Sequence, residues 1–149
     1  MWVHSEATVG YLVWRLSMKW RVAVDRAVAD LGLTHAQYSL LASLYGVTRS
    51  GRLPSQRELA DHTGLDAIYV SKLVRALERA GLITRVEHPA DTRAVQLDLT
   101  ARGSDVVEKA IAIVRDLLED LTAPLGGASA PRTREFSKLL RTLLEGEMP

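Results

Sequence analysis

The sequence predicts a mainly α-helical fold carrying one small β-hairpin. Three observations carry that expectation. Apolar residues recur at three- and four-residue steps over most of the chain. Glycines at 32, 46, 64 and 81 follow successive stripes where a helix would stop. Between residues 83 and 99 the period switches from helical to alternating.

Residues 5–31 place Val9, Leu12, Val13, Leu16, Trp20, Val24, Ala27, Val28 and Leu31 on one broad apolar face, and Gly32 ends the run. Thr34 with Gln37 forms a capping-box pattern that opens a second helix through Tyr38, Leu40, Leu41 and Leu44, expected to end near Gly46. Residues 47–54 (VTRSGRLP) read as a loop. Ser55 and Glu58 make a second capping box, and Leu59, Ala60 and Thr63 give a short third helix closed by Gly64.

A tight turn at Gly64-Leu65-Asp66 leads to a fourth helix over about 66–80, whose Val70, Leu73, Val74 and Leu77 form an i, i+3, i+4, i+7 stripe. Ile83–His88 and Ala94–Leu99 then alternate, the second more cleanly, around the turn-like tip 89–93. Thr100-Ala101-Arg102-Gly103 opens a fifth helix lined by Val106, Val107, Ala110, Ile113, Val114, Leu117, Leu118 and Leu121. Residues 124–131 (PLGGASAP) are a break, and a last helix carries Phe136, Leu139, Leu140, Leu143 and Leu144.

Composition narrows the function. With 47% apolar and 25% charged residues the 149-residue chain suits a folded domain. There is no cysteine, which removes disulfides, thiolate nucleophiles and Cys-based zinc sites. No apolar run approaches the roughly 18–20 residues of a bilayer span. Arg15, Lys19, Arg21, Asp25 and Arg26 interrupt the first 30 residues, so no signal-peptide block is present and a cytoplasmic location is expected. The net charge of +1 divides as +1 over residues 1–48, +2 over 49–102 and −2 over 103–149. A balance so near zero argues against coating nucleic acid nonspecifically, but allows a specific binder with its cations on one face.

Helix, tight turn, helix and hairpin in that order constitute a winged helix-turn-helix over residues 55–99. Its fourth helix buries Val70, Leu73, Val74 and Leu77 and offers Ala67, Ile68, Tyr69, Ser71, Lys72 and Arg75 to a major groove, where donors read base edges and apolar groups meet thymine methyls. Arg93 at the hairpin tip suits a minor groove, with Asp91 placed to hold its guanidinium through a bidentate pair. Ser55, Gln56 and Arg57 open a helix whose unpaired N–H groups suit a phosphate. The competing reading is a winged helix serving only as a protein-interaction module. The terminal helices hold more apolar residues than the central unit can cover, which points to a dimer interface. The expected division is 34–100 as DNA-binding lobe, with 5–31 and 101–146 as a helical dimerisation region.

These motifs resemble one family. Thr34-x-x-Gln37 with Leu40-Leu41, Leu59-Ala60, Leu77-Glu78-x-x-Gly81-Leu82-Ile83-x-Arg85, Asp91-x-Arg93 and Leu99-Thr100-x-x-Gly103 are similar to the multiple-antibiotic-resistance regulator (MarR) family over about residues 8–145. The resemblance implies a homodimeric transcriptional regulator, a repressor, on a pseudo-palindromic operator of double-stranded DNA. The first, fifth and sixth helices would form the interface. One position departs: Thr92 stands where the family often has a basic residue. The resemblance also implies a small aromatic or anionic effector between the dimer helices and the DNA-binding lobe, for which Tyr11, Trp14, Arg15, Trp20 and Tyr38 are the candidates. Six of the eight aromatic residues precede residue 46. The same side chains also suit plain packing of the core or interface, and both readings stand. His4, His35, His62 and His88 fall in separate segments, so no metal is expected; no cofactor and no enzymatic motif are read either.

Overall fold

The structure, a computed structural model, describes residues 6–91 and 93–149; the start of the first helix at residue 5, His4 and Thr92 lie outside the described residues. Among them it holds six α-helices and one two-stranded sheet, as expected.

Helix α1 (Val9–Val28) begins where the Thr8 hydroxyl accepts the Tyr11 N–H, and continues as a 3₁₀ turn at Ala29–Leu31. Gly32, at φ +75°, ends it in a left-handed conformation that a side chain would resist. Helix α2 (His35–Arg49) opens on the predicted capping box of Thr34 and Gln37. A carboxylate also reaches in from α1: Asp25 Oδ1 accepts the His35 N–H at 2.6 Å. One expectation fails here, because α2 runs past Gly46 to Arg49. Gly46 does not take a positive φ. The Tyr45 carbonyl accepts from the Thr48 hydroxyl, and the Arg49 guanidinium lies 5.4 Å from the Tyr45 ring centre, so side-chain contacts carry the helix through the weak residue. The turn falls instead at Gly51, φ +86°.

Helix α3 (Gln56–Thr63), the Gly64 turn and helix α4 (Ala67–Arg79) follow as read. Strands β1 (Ile83–Glu87) and β2 (Val95–Leu99) pair antiparallel from Ile83 opposite Leu99 to Glu87 opposite Val95. The segment before α3 joins this sheet: Leu97 N–H donates to the Pro54 carbonyl at 2.9 Å, Gln96 Nε2 to that of Leu53 at 3.3 Å, and Ser55 bridges Gln96. Helix α5 (Ala101–Thr122) extends through a 3₁₀ turn to Leu125, and α6 (Pro131–Glu145) starts with proline, whose missing N–H costs nothing there.

Seven of these elements meet in one core. Val24 and Val28 of α1 pack with Leu40, Leu41 and Leu44 of α2, Leu59 of α3, Val70, Val74 and Leu77 of α4, Ile83, Leu97 and Val107, all below 2% exposed. Truncating any of the leucines to alanine costs about 2–5 kcal/mol by lost burial and cavity formation. The outward sides of α1 and α6 are different, with Val9, Val13, Leu139, Leu143 and Leu144 exposed.

The base of the hairpin is fastened to α5. Thr100 N–H donates to the Leu82 carbonyl at 3.1 Å, its hydroxyl donates to the Gly81 carbonyl at 2.6 Å, and the same oxygen accepts the Gly103 N–H at 2.9 Å. A Cβ on Gly103 would overlap the Leu82 carbonyl oxygen.

Gly103→Ala should therefore destabilise the chain by about 1–3 kcal/mol through forced backbone displacement. Gly46→Ala, where an added Cβ meets nothing within 4 Å, should stabilise it by about 0.5–1 kcal/mol. Urea unfolding of the two variants checks the opposite signs. His35 adds a pH dependence: burial of its ring lowers its pKa from the ordinary 6.5, with Asp25 raising it and Arg21 lowering it more weakly. The folded chain thus binds fewer protons at this site, so its contribution is full above 6.5 and falls as the pH drops through the lowered value. Midpoints of urea unfolding between pH 7.5 and 5 should decline in the native protein and decline less in His35→Gln.

Candidate DNA interface

The first helix turn of α3 is built from charge-assisted capping. Ser55 Oγ accepts the Glu58 N–H at 3.0 Å, Glu58 Oε1 accepts the Ser55 N–H at 3.4 Å, and Glu58 Oε2 pairs with Arg52 Nη1 at 2.6 Å. Arg52 first, then the Ser55 N–H, hold the Glu58 carboxyl below its usual range. Gln56 and Arg57 follow on the same turn, Arg57 exposed.

Helix α4 divides as its stripe predicted. Val70, Leu73, Val74 and Leu77 are buried, whereas Ala67, Ile68, Tyr69, Lys72 and Arg75 are exposed and Ser71 is half-buried. Ile68 is 69% exposed, a large apolar side chain facing water with no covering element. Asp66 stands at the N-cap position but makes no capping bond, so the first N–H groups of α4 are not capped by its side chain.

At the wing tip the expected bidentate pair is corrected. A single oxygen, Asp91 Oδ1, accepts both the Arg93 backbone N–H at 3.0 Å and the Arg93 Nε at 3.4 Å. Asp91 is thus an Asx-turn residue that shapes the tip, holding the guanidinium at one edge. The Arg93 side chain remains 92% exposed. His88 Nδ1 accepts the Ala90 N–H at 3.1 Å on the other side of the turn.

Between α3, the start of α4 and the wing lies a cleft of about 900 Å³ that brings together Ser55, Gln56, Arg57, Ala67, Asp91 and Arg93. Ile68, Tyr69, Ser71, Lys72 and Arg75 stand outside this cleft, farther along α4. Two charged residues that sequence reading did not select belong here. Arg85 of β1 lines the cleft and pairs through Nε with Glu78 Oε2 of α4 at 3.3 Å. Arg52 sits beside the α3 start. The signal for Arg85 was its place in the Ile83-x-Arg85 motif, two residues beyond the buried Ile83; for Arg52 the sequence offered only a loop cation.

The five effector candidates do not share one cavity. Arg15 Nη1 donates to the Tyr11 hydroxyl at 3.3 Å, and the Tyr11 and Trp14 rings lie 6.3 Å apart at 42°, on an exposed stretch of α1. Trp20 and Tyr38 are half-buried and pack against the core, where burial raises the Tyr38 hydroxyl pKa. A second concavity, about 710 Å³, includes Arg15 beside Leu12, Leu16, Met18, Lys19, Val22, Ala23 and Arg26, without the other four. Among the described residues no three His, Asp or Glu side chains cluster as metal ligands, and no helix is long and apolar enough to cross a membrane.

Known proteins share this arrangement. The MarR family profile matches residues 31–94. The HTH-type transcriptional repressor Rv2887 of Mycobacterium tuberculosis is 33% identical over 143 residues, covering 96% of this chain and 98% of that protein. The crystal structure of the Staphylococcus aureus MepR–DNA complex superposes with a TM-score of 0.82 at 27% identity, over 93% of this chain and 98% of that one. The PcaV regulator of Streptomyces coelicolor, solved with its natural ligand, gives 0.81 at 25% identity over 98% of both chains. The chain belongs to the MarR family and is a transcriptional regulator of that type.

Proposed function

We propose that the protein is a cytoplasmic repressor that binds a pseudo-palindromic duplex as a homodimer and is released by a small aromatic or anionic ligand. The observation that carries the DNA reading is the exposed row Ala67, Ile68, Tyr69, Lys72 and Arg75 on a helix whose opposite side is fully buried, flanked by the protruding Arg93. A helix held so firmly on one side presents the other as a rigid reader of a major groove. In this reading Ser71, Lys72 and Arg75 meet base edges, Ala67, Ile68 and Tyr69 pack beside them, and Arg93 enters the adjacent minor groove. Ser55, Gln56 and Arg57 seat a phosphate, and Asp91 sets the angle of Arg93.

Residues 34–100 form the DNA-binding lobe of this proposal, and 5–31 with 101–146 the dimerisation region. Support for the second half comes from the exposed apolar residues of α1 and α6, an extent of apolar surface that a soluble monomer rarely leaves uncovered. The repressor reading is supported by the likeness to Rv2887, and the DNA and ligand readings by the complexes of MepR and PcaV. For the ligand, Tyr11, Trp14 and Arg15 supply an aromatic pair beside a cation, with Trp20 and Tyr38 on the inner side of the same region.

Two symmetric copies would place their half-sites about one helical turn, roughly 34–36 Å, apart. Arg93→Ala should weaken binding to a duplex enriched from a random pool by about 1–3 kcal/mol, read by fluorescence anisotropy at fixed salt. Unchanged affinity would remove Arg93 from the interface, and no enrichment of any duplex would favour a protein-interaction module. Leu117 packs against the core, so it is a poor probe of assembly; the double variant Leu139→Asp, Leu143→Asp uses exposed positions instead. It should sediment as a monomer at micromolar concentration and lose binding to the enriched duplex, whereas a persisting dimer would exclude α6 from the interface.

A further inference from the structure

Among the described residues three ion pairs occur, and all three lie between residues 52 and 93: Arg52 with Glu58, Arg85 with Glu78, and Arg93 with Asp91. The dimerisation helices are no poorer in charge. Arg15, Lys19, Arg21 and Arg26 lie on α1, and Lys109, Asp105, Glu108 and Asp116 on α5, yet no ion pair among the described residues joins any of them. Carboxylates have therefore been placed against cations on the one surface that is proposed to meet a polyanion.

A stability role does not account for this placement. Arg52 and Glu58 are 60% and 49% exposed in their side chains, Arg85 and Glu78 43% and 38%, and pairs so wet contribute little to folding. Their effect on encounter with DNA is larger. A cation that neutralises a phosphate releases a condensed counterion, and this release supplies nearly all of sequence-independent affinity. An arginine already matched by a carboxylate contributes less of it.

We propose that Glu58 and Glu78 are specificity-determining residues, masking Arg52 and Arg85 from phosphates in general and orienting them for the operator. This inference rests on the DNA-binding reading above. Glu58 orients Arg52 while its other oxygen holds the Ser55 N–H, so the guanidinium is registered to the start of α3. Glu78 reaches from α4 to Arg85 on β1, so the second guanidinium is registered between reading helix and wing. In a loosely docked complex on arbitrary sequence the carboxylates repel the backbone and the registration gains nothing. In the seated complex the registration offsets the repulsion. Asp91 differs because it also shapes the wing tip through the Arg93 N–H, so it is not part of this device.

The test is the double variant Glu58→Gln, Glu78→Gln: at 58 the single amide oxygen keeps the Ser55 N–H and releases Arg52, and at 78 the amide oxygen still accepts from Arg85 without the charge. Affinity is measured over a range of KCl concentrations for two probes: a duplex enriched by the wild-type protein from a random pool, and a shuffled duplex of the same composition. The shuffled duplex should bind about 5–10-fold tighter, with a salt slope steeper by about one to two, because two arginines become available to phosphates. The enriched duplex should gain less than about twofold, so the ratio between probes falls. Glu147→Gln, an exposed charge beyond α6, should leave the ratio unchanged. An unchanged ratio in the double variant overturns the inference, whether both affinities rise together or neither moves. Should the double variant melt early, each single variant carries the same reading at about half the slope change. Wild-type protein that prefers no duplex overturns the DNA reading and this inference together, whereas preference with an unaltered ratio overturns this inference alone.

Discussion

The side chains of the proposed DNA face are positioned above all by one junction, the stack of Gly81, Leu82, Thr100 and Gly103. There α4 ends, β1 begins, β2 ends and α5 begins, within four hydrogen-bonded residues. Thr100 spends its hydroxyl twice, as N-cap of α5 and as donor to Gly81, while its N–H closes onto Leu82. The contact is possible only because α5 passes the Leu82 carbonyl at a distance that Gly103 alone permits. Wing and reading helix are thereby referenced to α5, a long helix, rather than to each other through flexible loops. The second reference is the strand-like attachment of residues 53–55 to β2, which fixes where α3 starts relative to the wing. The start of α3, helix α4 and the wing are consequently parts of one body.

That rigidity explains how so modest a charge can serve. Net charge over residues 49–102 is +2, too little for affinity by charge alone. Where long-range attraction is weak, discrimination depends on whether donors already point correctly on arrival. In the proposed interface, arginines tethered at 2.6 and 3.3 Å to carboxylates have their orientation settled before contact and would lose less conformational entropy on docking. A surface of unpaired lysines would attract DNA faster and tell sequences apart less well.

How much of this was legible in the sequence differs by kind of interaction. Local chemistry was readable: both capping boxes, at Thr34/Gln37 and Ser55/Glu58, form as their spacing implied, and the stripe Val70, Leu73, Val74, Leu77 is buried in full. The end of α2 is not legible at Gly46, since glycine stops a helix where φ turns positive and here φ stays negative beside the Tyr45–Arg49 contact. Among the site residues, those of one helix face or one turn were legible from period and spacing. Arg85 and Arg52 were not, since their importance comes from partners seven and six positions away on different elements, Glu78 and Glu58. The single-oxygen geometry of Asp91 was likewise invisible: Asp-x-Arg spacing is compatible with a fork or an Asx turn, and the backbone N–H of Arg93 decides for the turn.

The link between the two halves of the chain follows from the same economy of polar contacts. Asp25, on the helix that carries the exposed apolar side, closes the first turn of α2 through the His35 N–H. Glu108 of α5 accepts from the Tyr45 hydroxyl near the far end of that same helix, and Arg49 donates to the same phenol. Helix α2 is thus gripped at both ends by helices of the proposed dimerisation region, while its middle, Leu40, Leu41 and Leu44, fills the core beneath α3 and α4. A helix pinned in this way cannot tilt without breaking one of the two polar contacts. In the proposed dimer the same two contacts tie α2, and the core it fills beneath α4, to the helices of the proposed interface.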